Sequence, residues 1–312
     1  MSLDRRASPL AGHRAIVTGS DVGLGYQTAL GLALRGAEVT LGVLDVQNGQ
    51  RAAEQILRLA PGATVLVDQL DLTSPDSVRE FARRQGTMFV PGGGSDIRPL
   101  DLLVNNAGIA GHPPVFTLTS GGIERIMATN HLGHFALTAL LAPSLLRAPR
   151  ARVVSLSSVH HQSGDLSAVS ATFLEGSPEG YEVMARYAAS KLACLMFALE
   201  LDRRAKAAGV PLVSVAAHPG AARTLIKEDG RGSRKFWRQN ARLGARSQLR
   251  AATDRRLTGG EYIGPLFFYR GPATRVAAVP QAYDSVIAAR LWDASEDVTG
   301  VRFDVASLAT VA

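Results

Sequence analysis

From Gly12 onward, short and nearly continuous apolar runs alternate with stretches of helical periodicity, and that alternation limits the architecture more than any other feature. The runs are HRAIVTGS (13–20), AEVTLGV (37–43), ATVLVDQL (63–70), DLLVNNAG (101–108), RVVSLSS (152–158) and LVSVAAHPG (212–220). Helical patterns lie between them: YQTALGLALRG (26–36), 47–60, SPDSVREFARR (74–84), a long one from about 119 to 147, and one over 181–207. Strands apolar on both faces and separated by helices belong to a parallel sheet covered on both sides. The pattern predicts an α/β fold, a doubly wound parallel sheet in a single domain spanning 1–312. PGGGSD (91–96) reads as a loop insertion, too short to be a linker.

Composition narrows the setting. With 312 residues, 46% of them hydrophobic, the chain can bury a large core and is neither disordered nor a small disulfide-stapled module. Cys194 is the only cysteine, which points to a reducing, cytoplasmic compartment. Residues 1–12 carry no apolar stretch of signal-peptide type. Residues 126–146 lack Asp, Glu, Lys and Arg and are long enough to cross a bilayer. Asn130, His131, His134 and Pro143 make them a buried helix instead, with no stable membrane insertion. The net charge of +7 is local: ten basic and three acidic residues fall between Lys227 and Arg256, and the remaining chain balances. Nucleic acid is therefore not an expected partner.

The turn after the first run is Thr18-Gly19-Ser20-Asp21-Val22-Gly23-Leu24-Gly25, with a helix at once behind it. Glycines there allow a tight turn and let backbone N–H groups approach a pyrophosphate at the helix N-terminus. This context indicates a Rossmann-type dinucleotide site rather than a merely structural turn. Asp45 stands 20 residues past Gly25, about where an acid would accept from the ribose 2′-hydroxyl, or else it simply opens the next helix. Val43 and Leu44 offer no cation for a 2′-phosphate, which favours NAD and leaves NADP open.

Tyr187 and Lys191 sit four residues apart in a helical stretch, one turn from each other on one face. A phenol is a poor proton carrier at neutral pH, and a neighbouring ammonium favours its phenolate. Only four lysines accompany 30 arginines, so a lysine at this position is informative. A compact ammonium can donate to two neighbours where a planar guanidinium would not fit.

Together, TGSDVGLG (18–25), Asp71-Leu72, NNAG (105–108), Asn130, Ser158, YAASK (187–191) and HPG (218–220) resemble the short-chain dehydrogenase/reductase family over nearly the whole chain. NHLGHF (130–135), SSVHH (157–161) and GGEYIGP (259–265) are most similar to its retinol-dehydrogenase and protochlorophyllide-reductase-like branch. The resemblance implies an NAD(P)-dependent oxidoreductase moving hydride between nicotinamide and a small-molecule carbonyl or secondary alcohol. It implies Tyr187 as general acid/base, Ser158 bonding the substrate oxygen, Lys191 on the nicotinamide ribose easing proton loss from the tyrosine, and Asn130 holding a water of the proton relay. It also implies Gly19, Gly23, Leu24 and Gly25 along the pyrophosphate, Asp71 and Leu72 at the adenine, Asn106 beside the adenosine ribose, and Ala222 and Thr224 facing the nicotinamide amide. Asp21, Ala107, Gly108, Pro219 and Gly220 would be further cofactor contacts. Two readings compete with a ketoreductase or alcohol dehydrogenase: a non-catalytic dinucleotide sensor or scaffold, and a family enzyme that reduces a double bond.

Two segments stand outside the alternation, 159–180 and 225–275, and are expected to wall a substrate pocket, one of them as a lid. Their apolar members (Phe173, Leu174, Ile226, Phe236, Trp237, Phe267), with Met184, suggest a bulky, mainly apolar substrate. Arg234, Arg238, Arg242, Arg246 and Arg250 recur every four residues and would form one stripe if helical. Such a stripe is either a solvated or subunit-facing surface, compatible with a homo-oligomer, or a docking strip for an anionic or carrier-bound substrate. His131, His134, His160 and His161 match no zinc spacing, so no metal site is expected.

Overall fold

The computed structural model describes residues 8–90, 94–110, 115–221 and 240–308, with side chains omitted at 87–90, 94, 95 and 308. The amino-terminal half runs β1 (Arg14–Thr18), α1 (Gly23–Ala33), β2 (Glu38–Val43), α2 (Val46–Leu59), β3 (Thr64–Gln69), α3 (Pro75–Gly86), β4 (Thr87–Val90), β5 (Gly94–Ile97) and β6 (Leu102–Asn105). Then come α4 (Arg125–Met127), a π-helical turn (Ala128–Leu132), α5 (Gly133–Leu146), β7 (Ala151–Leu156), α6 (Ala171–Glu175), α7 (Val183–Ala208) and β8 (Leu212–Ala217). The chain closes with α8 (Ala241–Thr253), β9 (Tyr262–Pro265), β10 (Ala273–Arg275), α9 (Ser285–Thr299) and α10 (Val305–Leu308).

Eight strands form one sheet in the order β10-β9-β8-β7-β6-β1-β2-β3, parallel throughout except for β10 against β9. Successive strand residues face opposite sides. Val17, Val104 and Val154 pack with Leu32 of α1, Ile56 of α2 and Ala251 of α8. Their neighbours Ile16, Leu103 and Val153 pack on the other face with Phe81 of α3, Phe135 of α5 and Phe197 of α7. This is the doubly wound, Rossmann-like sheet expected. The winding reverses between β1 and β6, and a crevice opens beyond the carboxyl ends of the strands at that point.

Three expectations need correction. PGGGSD is not a plain loop: its flanks pair as an antiparallel ribbon, Thr87 opposite Ile97 and Val90 opposite Gly94, with 91–93 outside the described residues. The long helix does not begin at 119. A turn at Gly122 precedes it, and the buried Glu124 caps the first turn by accepting from Ile126 N at 2.8 Å and Met127 N at 2.9 Å. Nor is the described part of 225–275, residues 240–275, chiefly pocket wall. α8 lies against α1 with Gly244, Ala245, Gln248 and Ala251 turned inward, and β9 and β10 extend the sheet. In the arginine stripe, Arg242 and Arg246 are exposed, while Arg250 pairs with Asp254 at 3.3 Å and Arg234 and Arg238 lie outside the described residues.

His131 and His134 are built into this core rather than aimed at a common point. His131 bonds Ser295 Oγ through Nε2 at 2.8 Å among Phe135 and Phe197. His134 spans Thr18 Oγ1 (2.8 Å) and the Asn130 carbonyl (3.0 Å). Burial keeps both neutral, lowering His131 to about 3 and His134 to about 4. In the unfolded chain each would take a proton near 6.5, so their contribution to stability is present above that pH and is lost as pH falls. Together they should remove about 4 kcal/mol of unfolding free energy between about pH 7 and pH 5. Urea unfolding at the two pH values should show that loss, roughly halved in His131→Gln. A free energy unchanged between the two pH values would contradict it.

Candidate active site

The crevice is a cleft of about 610 Å³, within the range of small-molecule and cofactor sites. One wall is the glycine turn. Gly19 and Gly23 adopt φ of +59° and +61°, which side-chain-bearing residues resist. A Cβ at Gly25 would overlap the Gly19 carbonyl and the Asn106 amide, so only glycine lets α1 start this close to β1. Val22 gives α1 no side-chain cap, and the first turn has no acid, so its N–H groups are open to an anion. Asn106 braces the turn by donating from Nδ2 to the carbonyls of Thr18 (2.7 Å) and Gly19 (3.0 Å), while Gln248 donates to its Oδ1 at 3.1 Å. Thr18 Oγ1 in turn accepts from Asn106 N and Ala107 N, both at 2.9 Å.

Gly19, Asp21, Gly23, Leu24, Gly25, Asp71, Leu72, Asn106, Ala107, Gly108, Ser158, Tyr187, Lys191, Pro219 and Gly220 all border the cleft. Asp45 does not. It caps α2, its carboxylate accepting from Gln47 N (2.8 Å), Asn48 N (3.1 Å) and Asn48 Nδ2 (2.8 Å). The cleft beside it is lined by Gly42 and by Leu44, which is 65% exposed. Ala222 and Thr224 lie outside the described residues. These features fit a dinucleotide: a turn whose Gly19 and Gly25 leave no room for a Cβ, uncapped helix N–H groups, and a tyrosine–lysine pair at the far end.

At that end α7 presents Tyr187 and Lys191 from successive turns, both buried, with Nζ 6.0 Å from the tyrosine ring centre. Lys191 Nζ donates to the Leu156 carbonyl at 3.2 Å, and two of its three N–H bonds remain for other partners. Ser158 follows β7 in extended conformation and caps a short 3₁₀ turn, Oγ accepting from His160 N at 3.3 Å. Its own hydroxyl proton stays available to a substrate oxygen. His160 meets the Tyr187 ring edge-on at 5.6 Å between centres.

Asn130 lies in the π-helical turn and is 1% exposed. Its Nδ2 donates to the Ile109 carbonyl and to Ser190 Oγ, both at 2.9 Å, and its Oδ1 accepts from Ile109 N at 2.8 Å. Ser190 Oγ donates onward to the Tyr187 carbonyl at 2.7 Å. Tyr181 is elsewhere: its hydroxyl donates to Glu124 at 2.9 Å, and burial together with that carboxylate raises its pKa.

Several lining residues were not singled out from sequence: Thr73, Arg125, Thr129 and Ala221. Thr73, Thr129 and Ala221 each stand next to a motif residue, Leu72, Asn130 and Gly220, whereas Arg125 has no such signal. The apolar candidates behave differently from expectation. Leu174 is buried in the core, Phe173 lies under the Arg186 guanidinium, Met184 and Phe267 face solvent, and Ile226, Phe236 and Trp237 are outside the described residues. From 159–180 only Val159 and His160 line the cleft, and from the described part of 225–275 only Tyr269.

Comparison with known proteins agrees with this geometry. The family model for short chain dehydrogenases matches residues 13–233. The chain is 35% identical to human retinol dehydrogenase 11 over 302 residues, covering 95% of this chain and 88% of that one. It is 32% identical to human retinol dehydrogenase 13, covering 95% and 77%. A solved structure of an uncharacterized Mycobacterium paratuberculosis protein superposes with a TM-score of 0.77 at 37% identity, over 97% of this chain and 99% of that one. A Shigella flexneri short chain dehydrogenase solved with NADP, 21% identical, shares the fold with a TM-score of 0.64 over 82% and 98%. The chain belongs to the short-chain dehydrogenase/reductase family, on its retinol-dehydrogenase-like branch, and is an NAD(P)-dependent oxidoreductase.

Proposed function

We propose that the enzyme interconverts a ketone or aldehyde with its alcohol, with Tyr187 as general acid/base and NADH preferred to NADPH. The observation that carries this reading is the convergence of Tyr187, Lys191 and Ser158 on the cleft that also holds the glycine turn. A bound nicotinamide supplies or accepts the hydride. In reduction, Tyr187 gives its phenolic proton to the substrate oxygen, and in oxidation it takes that proton back. Ser158 donates to the same oxygen and orients it. Lys191 holds the nicotinamide ribose with its free N–H bonds and favours the phenolate through its charge. Asn130, whose amide and carbonyl are all taken by protein partners, acts through Ser190 to fix the helix turn that carries the tyrosine. Pro219 and Gly220, which border the cleft at this end, would lie beside the nicotinamide.

The substrate class is a bulky, mainly apolar carbonyl or alcohol. Ile109, Val159, Ala221 and Tyr269 supply apolar surface in the cleft, and the similar human proteins are named for retinol, itself an apolar alcohol. An anionic or carrier-bound form of such a substrate would find Arg125 in the cleft and Arg242 and Arg246 exposed on α8. The lone, buried Cys194 suits a reducing cytoplasm. No described helix is long and apolar enough to cross a membrane.

Tyr187→Phe should cut turnover by about 10²–10⁴ while leaving NADH affinity nearly intact. Steady-state kinetics with fluorescence titration of NADH checks this, and near-normal turnover would remove Tyr187 from the chemistry. Cofactor choice is read at the adenosine edge, where the uncharged Leu44 borders the cleft and offers a 2′-phosphate no cation. NADH should bind more tightly than NADPH, and Leu44→Arg should improve NADPH binding about tenfold, the equivalent of ~1.4 kcal/mol. A clear NADPH preference in the unaltered enzyme would overturn this assignment.

A further inference from the structure

Behind the reacting end lie three buried polar rings that the proposed chemistry does not use: His161, Tyr262 and His218, exposed by 0%, 3% and 0%. Tyr262 on β9 stands between the two histidines. Its ring meets His161 edge-on at 5.2 Å and His218 at 5.0 Å between centres. Each histidine commits one nitrogen to the backbone of a loop bordering the cleft. His161 Nδ1 donates to the Ser158 carbonyl at 2.7 Å, and the Tyr262 hydroxyl donates to the same carbonyl at 3.5 Å. On the other side, Gly220 N–H donates to His218 Nδ1 at 3.2 Å, and His218 N donates to the Ile263 carbonyl at 2.8 Å. A side chain at Gly264 would overlap the His218 ring, so β9 is built to admit it.

These bonds fix opposite tautomers. His218 accepts at Nδ1, so its proton is on Nε2. His161 donates from Nδ1, so its Nε2 carries the lone pair. Neither Nε2 has a partner among the described residues. Leucine at either position would fill the space without that desolvation cost. The imidazoles are therefore explained by the one bond each makes to a cleft loop rather than by packing. Burial, and after it the neighbouring His161, lowers His218 to about 3, and burial lowers His161, so both rings stay neutral near pH 7.

We propose that His161, Tyr262 and His218 are positioning residues: one buried wedge that sets the Ser158 carbonyl and the Gly220 N–H, and so the spacing between the catalytic serine and the nicotinamide loop. The proposal rests on the reading of Ser158 and Gly220 as active-site groups. It assigns the two histidines separable effects, His218 on binding of the nicotinamide end and His161 on turnover. Asparagine places a polar atom where Nδ1 stands and can either accept or donate, so it should substitute for both.

The test is to titrate NADH and ADP-ribose, which lacks nicotinamide, by fluorescence and competition, alongside kcat. His218→Leu should weaken NADH about tenfold while ADP-ribose stays within about twofold of the unaltered enzyme. His161→Leu should lower kcat about tenfold at unchanged NADH affinity. His218→Asn and His161→Asn should restore each parameter to within about threefold. Parallel weakening of NADH and ADP-ribose, leucine variants with unaltered constants, or failure of asparagine to rescue would each overturn the wedge. Should the leucine variants not fold, Tyr262→Phe keeps the test: kcat should fall about threefold with NADH affinity unchanged, and an unaltered kcat would refute the proposal. An unaltered enzyme that bound ADP-ribose but not NADH would overturn the reading of the cleft itself, and the wedge with it.

Discussion

The reacting end depends on one buried amide. Asn130 lies out of contact with solvent, so every polar atom of its side chain must find a partner inside the protein. It does so on two other elements at once: the loop after β6 through Ile109 and α7 through Ser190. The Asn130 carbonyl is also engaged, accepting from His134 Nδ1 and Cys194 Sγ, both at 3.0 Å. The π-helical turn at Ala128–Leu132 goes with that arrangement, since a wider turn lets the side chain reach sideways into the loop. Removing the amide would strand the Ile109 backbone and loosen the turn of α7 that carries Tyr187.

From that point the polar scaffold runs inward. His134 joins the Asn130 carbonyl to Thr18, and Thr18 receives the N–H groups of Asn106 and Ala107. Asn106 then braces the glycine turn. The Tyr187 end of the cleft and the glycine turn are thus tied by an unbroken chain of hydrogen bonds, buried at His134 and Thr18 and part-buried at Asn106. In a low-dielectric interior such a chain is stable only when complete, which restricts it to one geometry.

Much of this was legible in the sequence because it is local. Six apolar runs mark six of the seven parallel strands, and the spacing of Tyr187 and Lys191 places them on one helical face whatever surrounds them. Contacts between distant segments were not legible. Nothing near Asn130 indicates Ile109 or Ser190, 21 and 60 residues away, and nothing near His218 signals Tyr262. The arginine-rich segment misled for another reason. Its long basic side chains dominate the composition, while the face that packs on α1 is made of small and neutral residues, Gly244, Ala245, Gln248 and Ala251, which carry little apolar signal. Asp45 was ambiguous because an aspartate before a helix is equally a cap and a ligand, and here its oxygens are taken by the cap.

The central claim is that this cleft directs hydride to a carbonyl carbon while the chain supplies the proton. Incubation with NADH deuterated at the transferable C4 position and a panel of bulky, apolar ketones, followed by NMR of the product, tests it most directly. The account predicts a single deuterium on the carbinol carbon and a solvent-derived proton on the oxygen. Deuterium on a carbon beta to an intact carbonyl, or NADH that binds and is never consumed by any member of the panel, would contradict it.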